Sequence, residues 1–221
     1  MLLSACGGGG SSTPAAAEVA LSADTFQIRT ALANYFTDSR SLRFTVSGTT
    51  SAVSVTGSGT VTQSSVSGAT FEGTPALQKV STITGSLSVN GVTVPLAATD
   101  ISYVDSNYNP RGNAGDEYVV VTGSATVPTT AKVNDTGVVF SAKRYTSSAK
   151  TGLLGTQVLT FAIQPETSTT ALLKLIEVEK DNAGNTTTTS TITFRLTPAG
   201  AMTRLSETAV SGTTALTLTY L

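Results

Sequence analysis

The sequence predicts a mainly β protein: an antiparallel meander forming a curved sheet, half-barrel or barrel, with one N-terminal α-helix packed on it. Three observations carry this. From Leu42 onward apolar residues alternate with polar ones, the period of a strand with one buried face. Thr (41 residues) and Ser (26) together make up 67 of 221 positions, and with Val they suit pleated, half-buried surfaces. Turn signals recur at roughly the 8–12 residue spacing of an all-β domain.

The helix comes first, over residues 23–36. Ile28, Leu32, Tyr35 and Phe36 fall on one helical face, Ser22 is placed to cap the N-terminus, and Asp24 would sit in the first turn. Thr37-Asp38-Ser39 ends the pattern. Strands then follow in order. Leu42, Phe44 and Val46 alternate, as do Val53, Val55 and Val61, with Gly57-Ser58-Gly59 read as a turn or bulge. Ile83, Leu87 and Val89 lead into Asn90-Gly91 and out through Val92, Val94 and Leu96, which is the strongest short-range hairpin signal in the chain. Further strands are expected at 101–103, 118–121, 138–141 and 158–163. The pair 172–180 and 186–196 is joined by Asp181-Asn182-Ala183-Gly184-Asn185, and a last hairpin runs through 202–205 and 215–220. Leu173 to Lys180 alternates charged and apolar groups, which reads as a solvated strand face. Aromatic residues are 6% of the chain, too few for the girdles of a membrane barrel, and no run of 18 apolar residues occurs.

Composition excludes several chemistries. With no His and one Cys there is no Ser-His-Asp or Cys-His dyad, no His-ligated metal site and no internal disulfide. Thirteen Lys and Arg against 14 Asp and Glu leave no basic footprint, so nucleic acid is not an expected partner. Paired carboxylates could serve a glycosidase without His, from Glu72, Asp100, Asp105, Asp116, Glu117 and Glu166, but no spacing selects two of them. The expectation is a protein that is not an enzyme, with no catalytic residues, no metal and no cofactor.

The N-terminus is the most informative segment. Leu3-Ser4-Ala5-Cys6 resembles the lipobox of bacterial lipoproteins, and four Gly, two Ser, a Thr and a Pro follow at once. The resemblance implies that the Cys6 thiol carries a diacylglycerol and that Cys6 begins the mature chain. Residues 1–5 are then a residual signal peptide, 6–20 a lipidated flexible tether, and 21–221 a single β-rich domain. Only five residues precede Cys6 and none is basic, so an upstream start or a trimmed leader is expected. Gly7, rather than Asp, follows the Cys, which in enterobacterial lipoproteins points to the outer membrane. The implied setting is the bacterial envelope, outer-membrane and lipid-anchored.

One segment of the body concentrates polar and aromatic groups: Tyr103 to Glu117. Its candidate ligand contacts are Tyr103, Asp105, Asn107, Tyr108, Arg111, Asp116 and Glu117, set against the plainer reading of a long loop between two strands. Ca²⁺ is disfavoured there, because Pro110 stands where an EF-hand loop needs Gly. The body is similar in texture to uncharacterised Thr- and Ser-rich proteobacterial lipoproteins. Its helix-then-meander order also resembles envelope carriers of lipoprotein and acyl ligands, in which a half-barrel covers an apolar cavity. The leading expectation is a non-enzymatic envelope lipoprotein that binds or scaffolds, with a half-barrel carrier of lipid or acyl ligands as the alternative. The partner beyond the membrane would be a lipid, a glycan or a protein.

Overall fold

In the computed structural model, which describes residues 24–221, thirteen antiparallel strands form one sheet that closes on itself. Cys6, the tether and Ser22 lie outside the described residues. Strands β1 (Arg40–Thr50) and β2 (Val53–Gln63) form a hairpin, and a short β3 (Ser67–Phe71) follows. The longest hairpin is β4 (Thr74–Val89) with β5 (Val92–Val104). Then come β6 (Pro110–Ala114), β7 (Tyr118–Thr122), β8 (Thr136–Tyr145) and β9 (Leu153–Pro165). The chain finishes with β10 (Ala171–Lys180), β11 (Thr186–Leu196), β12 (Met202–Ser211) and β13 (Thr214–Tyr220).

Two pairings between strands distant in sequence or separated by a neighbour close the circuit. β1 takes β13 on its free edge, with Phe44 opposite Tyr220, and β2 takes β4, with Val61 opposite Ile83. The result is a closed barrel of twelve strands, the last of the three forms the sequence predicts. β3 is the thirteenth. It continues along the edge of β4 that β2 leaves: Gln63 lies opposite Ser81, and Ser67 opposite Gln78.

Asn90-Gly91 makes the expected tight turn, with φ of 50° and 78° at its two residues, the left-handed pair that a twisted two-residue hairpin needs. Gly57-Ser58-Gly59 is neither turn nor bulge. It runs straight through β2, where a Cβ on Gly59 would come within 2.6 Å of the Phe44 ring. Gly59 also faces Gly85 on β4, so the glycines clear space for a buried aromatic rather than end a strand. The outward positions of β2 are Ser54, Thr56, Ser58, Thr60 and Thr62. A lipid-facing barrel wall needs an apolar band at such positions, and this one presents hydroxyls. Among the described residues, no helix is long and apolar enough to cross a membrane.

Helix α1 (Ile28–Thr37) starts five residues later than its sequence pattern suggests. Phe26 is the reason. It is fully buried and locked in an extended bridge to Ala131, with N–H···O distances of 2.8 and 3.0 Å in the two directions, so the chain cannot be helical there. Asp24 therefore lies outside the first turn. The apolar face is as expected: Ile28, Leu32 and Tyr35 join a cluster with Ile163, Leu173, Phe194 and Leu196. Tyr35 meets the Phe194 ring edge-on at 5.2 Å. A smaller cluster gathers Phe44, Val46 and Val61 elsewhere in the interior.

The helix is fastened at its C-terminus by Lys79 of β4. The Lys79 ammonium, on a residue only 2% exposed, donates to the carbonyls of Tyr35 (3.1 Å), Phe36 (2.9 Å) and Asp38 (2.5 Å). These are carbonyls that a helix end leaves without partners, and a cation there also opposes the negative end of the helix dipole. Lys79→Met keeps the stem and removes the donors. It should cost about 3 kcal/mol in urea unfolding, the scale of orphaning several buried acceptors. A loss below about 0.5 kcal/mol, typical of surface changes, would show that the helix is held by its apolar face alone.

Candidate functional site: the barrel lumen

A circuit of twelve strands encloses more room than inward side chains fill. A cavity of about 690 Å³ lies inside the barrel and beneath α1, whose Ile28, Leu32, Tyr35 and Phe36 form part of its wall. Leu159, Phe161, Leu175 and Ile192 supply an apolar flank from β9, β10 and β11.

The rest of the wall is acidic. Asp100, Asp116, Glu117, Glu177, Glu179 and Glu207 all line the cavity, six of the 14 acidic residues in the chain. Glu177 and Glu179 overturn the expectation of a solvated strand face on β10. They continue the inward row of Leu173 and Leu175, while Lys174, Ile176, Val178 and Lys180 take the outward one. Arg144 of β8 is buried behind this wall.

The lining charges divide into satisfied and unsatisfied sets. Arg144 donates to both oxygens of Glu117, at 2.6 and 2.7 Å, and lies 2.9 Å from Glu179. Arg204 is ion-paired to Glu207 three residues along β12 and stacks over the Tyr220 ring at 4.6 Å. Glu177 has no ion-pair partner among the described residues. Its close donor is the neutral amide of Gln157, at 2.5 Å. Burial pushes the Glu177 carboxyl up to about 7. The charge of Glu179 pushes the same way, Arg144 opposes, Glu207 adds to the rise, and the Gln157 hydrogen bond opposes it.

A second uncompensated carboxyl lies on the opposite wall, since β10 faces β4 and its neighbours across the twelve-strand circuit. Asp100 of β5 accepts from Asn113 (2.9 Å) and Ser102 (3.2 Å), both neutral. Burial raises its pKa above the usual value against those two hydrogen bonds, and nearby Asp116 raises it further. Asp100 pairs in register with Ser81, and Ser81 with Gln63. Gln63 is 7% exposed. Its amide donates to Ser81 at 3.2 Å, while its Oε1 has no hydrogen-bond partner.

The segment from Tyr103 to Glu117 is not one loop. It contains the end of β5, a tight turn, β6, a second turn and the start of β7. Asp105 organises the first turn, accepting from the backbone N–H of Asn107 (2.8 Å) and Asn109 (2.9 Å). Burial works against its ionisation, but hydrogen bonds from Asn109 and Asn107 outweigh this and hold its pKa below the usual value. Asn107 is exposed, and Arg111 turns outward to Thr74 Oγ1 at 3.3 Å. The Tyr103 ring stacks on Phe71 at 4.4 Å. Tyr108 bonds Thr37 at 3.2 Å, meets Phe36 edge-on, and lines the cavity together with Asp116 and Glu117. Thus Asp105 and Asn107 shape a turn and Arg111 stands on the outside of β6, whereas Tyr103, Tyr108, Asp116 and Glu117 border the lumen. Glu177, Glu179, Glu207, Gln157, Arg144 and Gln63 carry no motif. Strand parity was the one signal that pointed inward for the glutamates of β10, and Leu172, Ile176 and Val178 gave an equally good opposite parity.

Among the described residues, no group of three His, Cys, Asp or Glu is arranged to hold a metal ion. Compared with known proteins, the chain matches no family model, no curated protein and no solved structure.

The Glu177 shift has a definite sign for stability. Between its ordinary value of 4.5 and about 7 the folded chain keeps a proton that the unfolded chain has lost, so stability falls as pH rises through that window. Glu177→Gln removes the penalty. Urea unfolding should show the variant more stable than wild type by about 1–3 kcal/mol near pH 8, and nearly equal to it near pH 4. The same gain at both pH values would mean that the substitution acts through packing instead.

Proposed function

We propose that the domain is a binding barrel that takes a small, partly apolar ligand into its lumen, as a carrier rather than a scaffold. The observation that carries this is the cavity of about 690 Å³ beneath α1, a volume in the range of small-molecule sites. A scaffold has no need of such a space, and leaving it unfilled forgoes packing. An uncharged alcohol, n-octanol, tests the cavity without testing its charge. Wild type should bind it saturably in calorimetry, and Ile192→Trp, which fills the lumen, should abolish binding while the barrel still unfolds cooperatively. Absence of saturable octanol binding to wild type would remove this reading.

Lipid attachment belongs to the same proposal. The Leu3-Ser4-Ala5-Cys6 match and the Gly/Ser run after it support an acylated Cys6 that tethers the barrel to the bacterial envelope, with the outer membrane as the site. Each buried CH₂ of an acyl chain contributes about 0.8 kcal/mol, so two or more chains hold a protein stably. Expressed behind an export leader in a Gram-negative host, the wild-type chain should enter the detergent phase and Cys6→Ser the aqueous phase. Equal partitioning of the two would refute the anchor.

A further inference from the structure

We propose that the ligand of the lumen is an organic cation, a protonated amine on an apolar body, its charged head drawn by the two lining carboxyls that lack a cationic partner, Glu177 and Asp100. This rests on the reading of the barrel as a binding protein and narrows the ligand to one chemical class. Four features of the wall point the same way.

The first is charge. Six carboxyls line the cavity, and the lining cation Arg204 is already paired to Glu207, while Arg144 behind the wall is shared by Glu117 and Glu179. Arg204 keeps one buried donor, its Nε, without a partner, but its charge is already matched by Glu207, which leaves no net positive charge on the lining for a fatty-acid carboxylate. The second is the pair of half-buried carboxyls whose close partners are all neutral: Gln157 for Glu177, Asn113 and Ser102 for Asp100. A buried carboxylate without a cation is costly, and a bound cation removes that cost.

The third is independent of the acids. Gln63 is more than nine-tenths buried, lines the cavity, and has an amide oxygen with no donor. It stands in the same lateral row as Asp100, through Ser81. An orphaned acceptor beside an uncompensated acid is what an ammonium with several N–H donors satisfies. The fourth is the apolar flank of Leu159, Phe161, Leu175 and Ile192, which a bare metal ion leaves unused and an alkyl or aryl body covers. Entry is from the end where the acids meet solvent: Asp116 is exposed, and the Glu117 and Glu179 side chains are 32% and 20% accessible. A rim of that sign also draws cations from solution.

Three probes with the same apolar body separate the alternatives: n-octylammonium, n-octanol and octanoate, titrated into the full chain by calorimetry near pH 8. Octylammonium should bind at least about tenfold more tightly than octanol, within the range of close charge pairs that exclude water, and octanoate more weakly than either. Glu177→Gln and Asp100→Asn should each reduce octylammonium affinity, and the double variant should bring it down to that of octanol. Octanol affinity should stay unchanged in all three, which also reports that the lumen is intact. Octylammonium binding no tighter than octanol, or a double variant that keeps the preference, would overturn the inference and leave the carrier reading standing. Preferential binding of octanoate would replace the cation with an acyl ligand. Failure of all three probes on wild type would overturn the carrier reading as well.

Discussion

The pairing of β2 with β4 is the constraint on which the rest of this molecule depends. Without it, the meander from β4 to β13 and back through β1 would be an open sheet with one apolar face to cover. With it, every strand of the circuit has two neighbours, the wall has an inside, and inward residues meet across a lumen. Closure also removes the long free edges that make open sheets prone to pairing with other chains. The glycines at 57, 59 and 85 stand at this seam, where β2 and β4 lie in register, with Phe44 from β1 against Gly59 and Leu87 from β4 against Gly57.

A ring of twelve strands cannot be filled by one layer of side chains, and the chain treats its two ends differently. One end is sealed by α1, with Phe26 as an anchor ahead of it and Lys79 as a clasp behind. There the packing is apolar and tight, around Ile163, Leu173 and Leu196. Beyond it the inward positions change to Glu on β10, Gln on β2 and Asp on β5, and a second apolar cluster around Phe44, Val46 and Val61 follows. A protein selected for stability alone would have continued the Leu173–Leu175 row of β10 with more aliphatic residues. Glu179 answers the buried Arg144, but Glu177 in the same row is an interior carboxyl with no ion-pair partner among the described residues, and a perturbed carboxyl in a cavity marks a candidate site. The outer wall, with its rows of Thr and Ser, is indifferent by comparison.

Much of the architecture was legible in the chain itself. Period-two alternation placed eleven of the thirteen strands, although 92–96 and 101–103, expected as separate strands, are one strand, β5; Asn90-Gly91 placed the longest hairpin, and the 28, 32, 35 and 36 spacing placed the helix on its correct face. These are local properties: side-chain parity and turn geometry are set by the covalent backbone within a few residues. The absence of His and the single Cys likewise limited the available chemistry before any fold was known. Tertiary context overrode local reading in a few places. Gly57 and Gly59 read as a turn or bulge but make room for Leu87 and the Phe44 ring, β3 and β6 are too short to announce themselves, and Phe26 delays the helix by pairing with Ala131, 105 positions along the chain.

The candidate site belonged almost wholly to the tertiary structure. On β10 the sequence offers two faces of similar apolar content, Leu173 and Leu175 with two glutamates, or Leu172, Ile176 and Val178 with two lysines. Nothing within the strand decides which faces inward, because a strand shows the same alternation whichever side is buried. The choice is made by pairing with β9 and β11, whose Phe161 and Phe194 lie on the side of the glutamates. The row of Gln63, Ser81 and Asp100 was equally invisible, since it draws one residue from each of three strands. The sequence by itself determined that this chain would be a β meander with a helix, free of His chemistry. Only closure of the sheet decided that its acids would line one enclosed space, because a lumen is a property of strand order and register that no local segment contains.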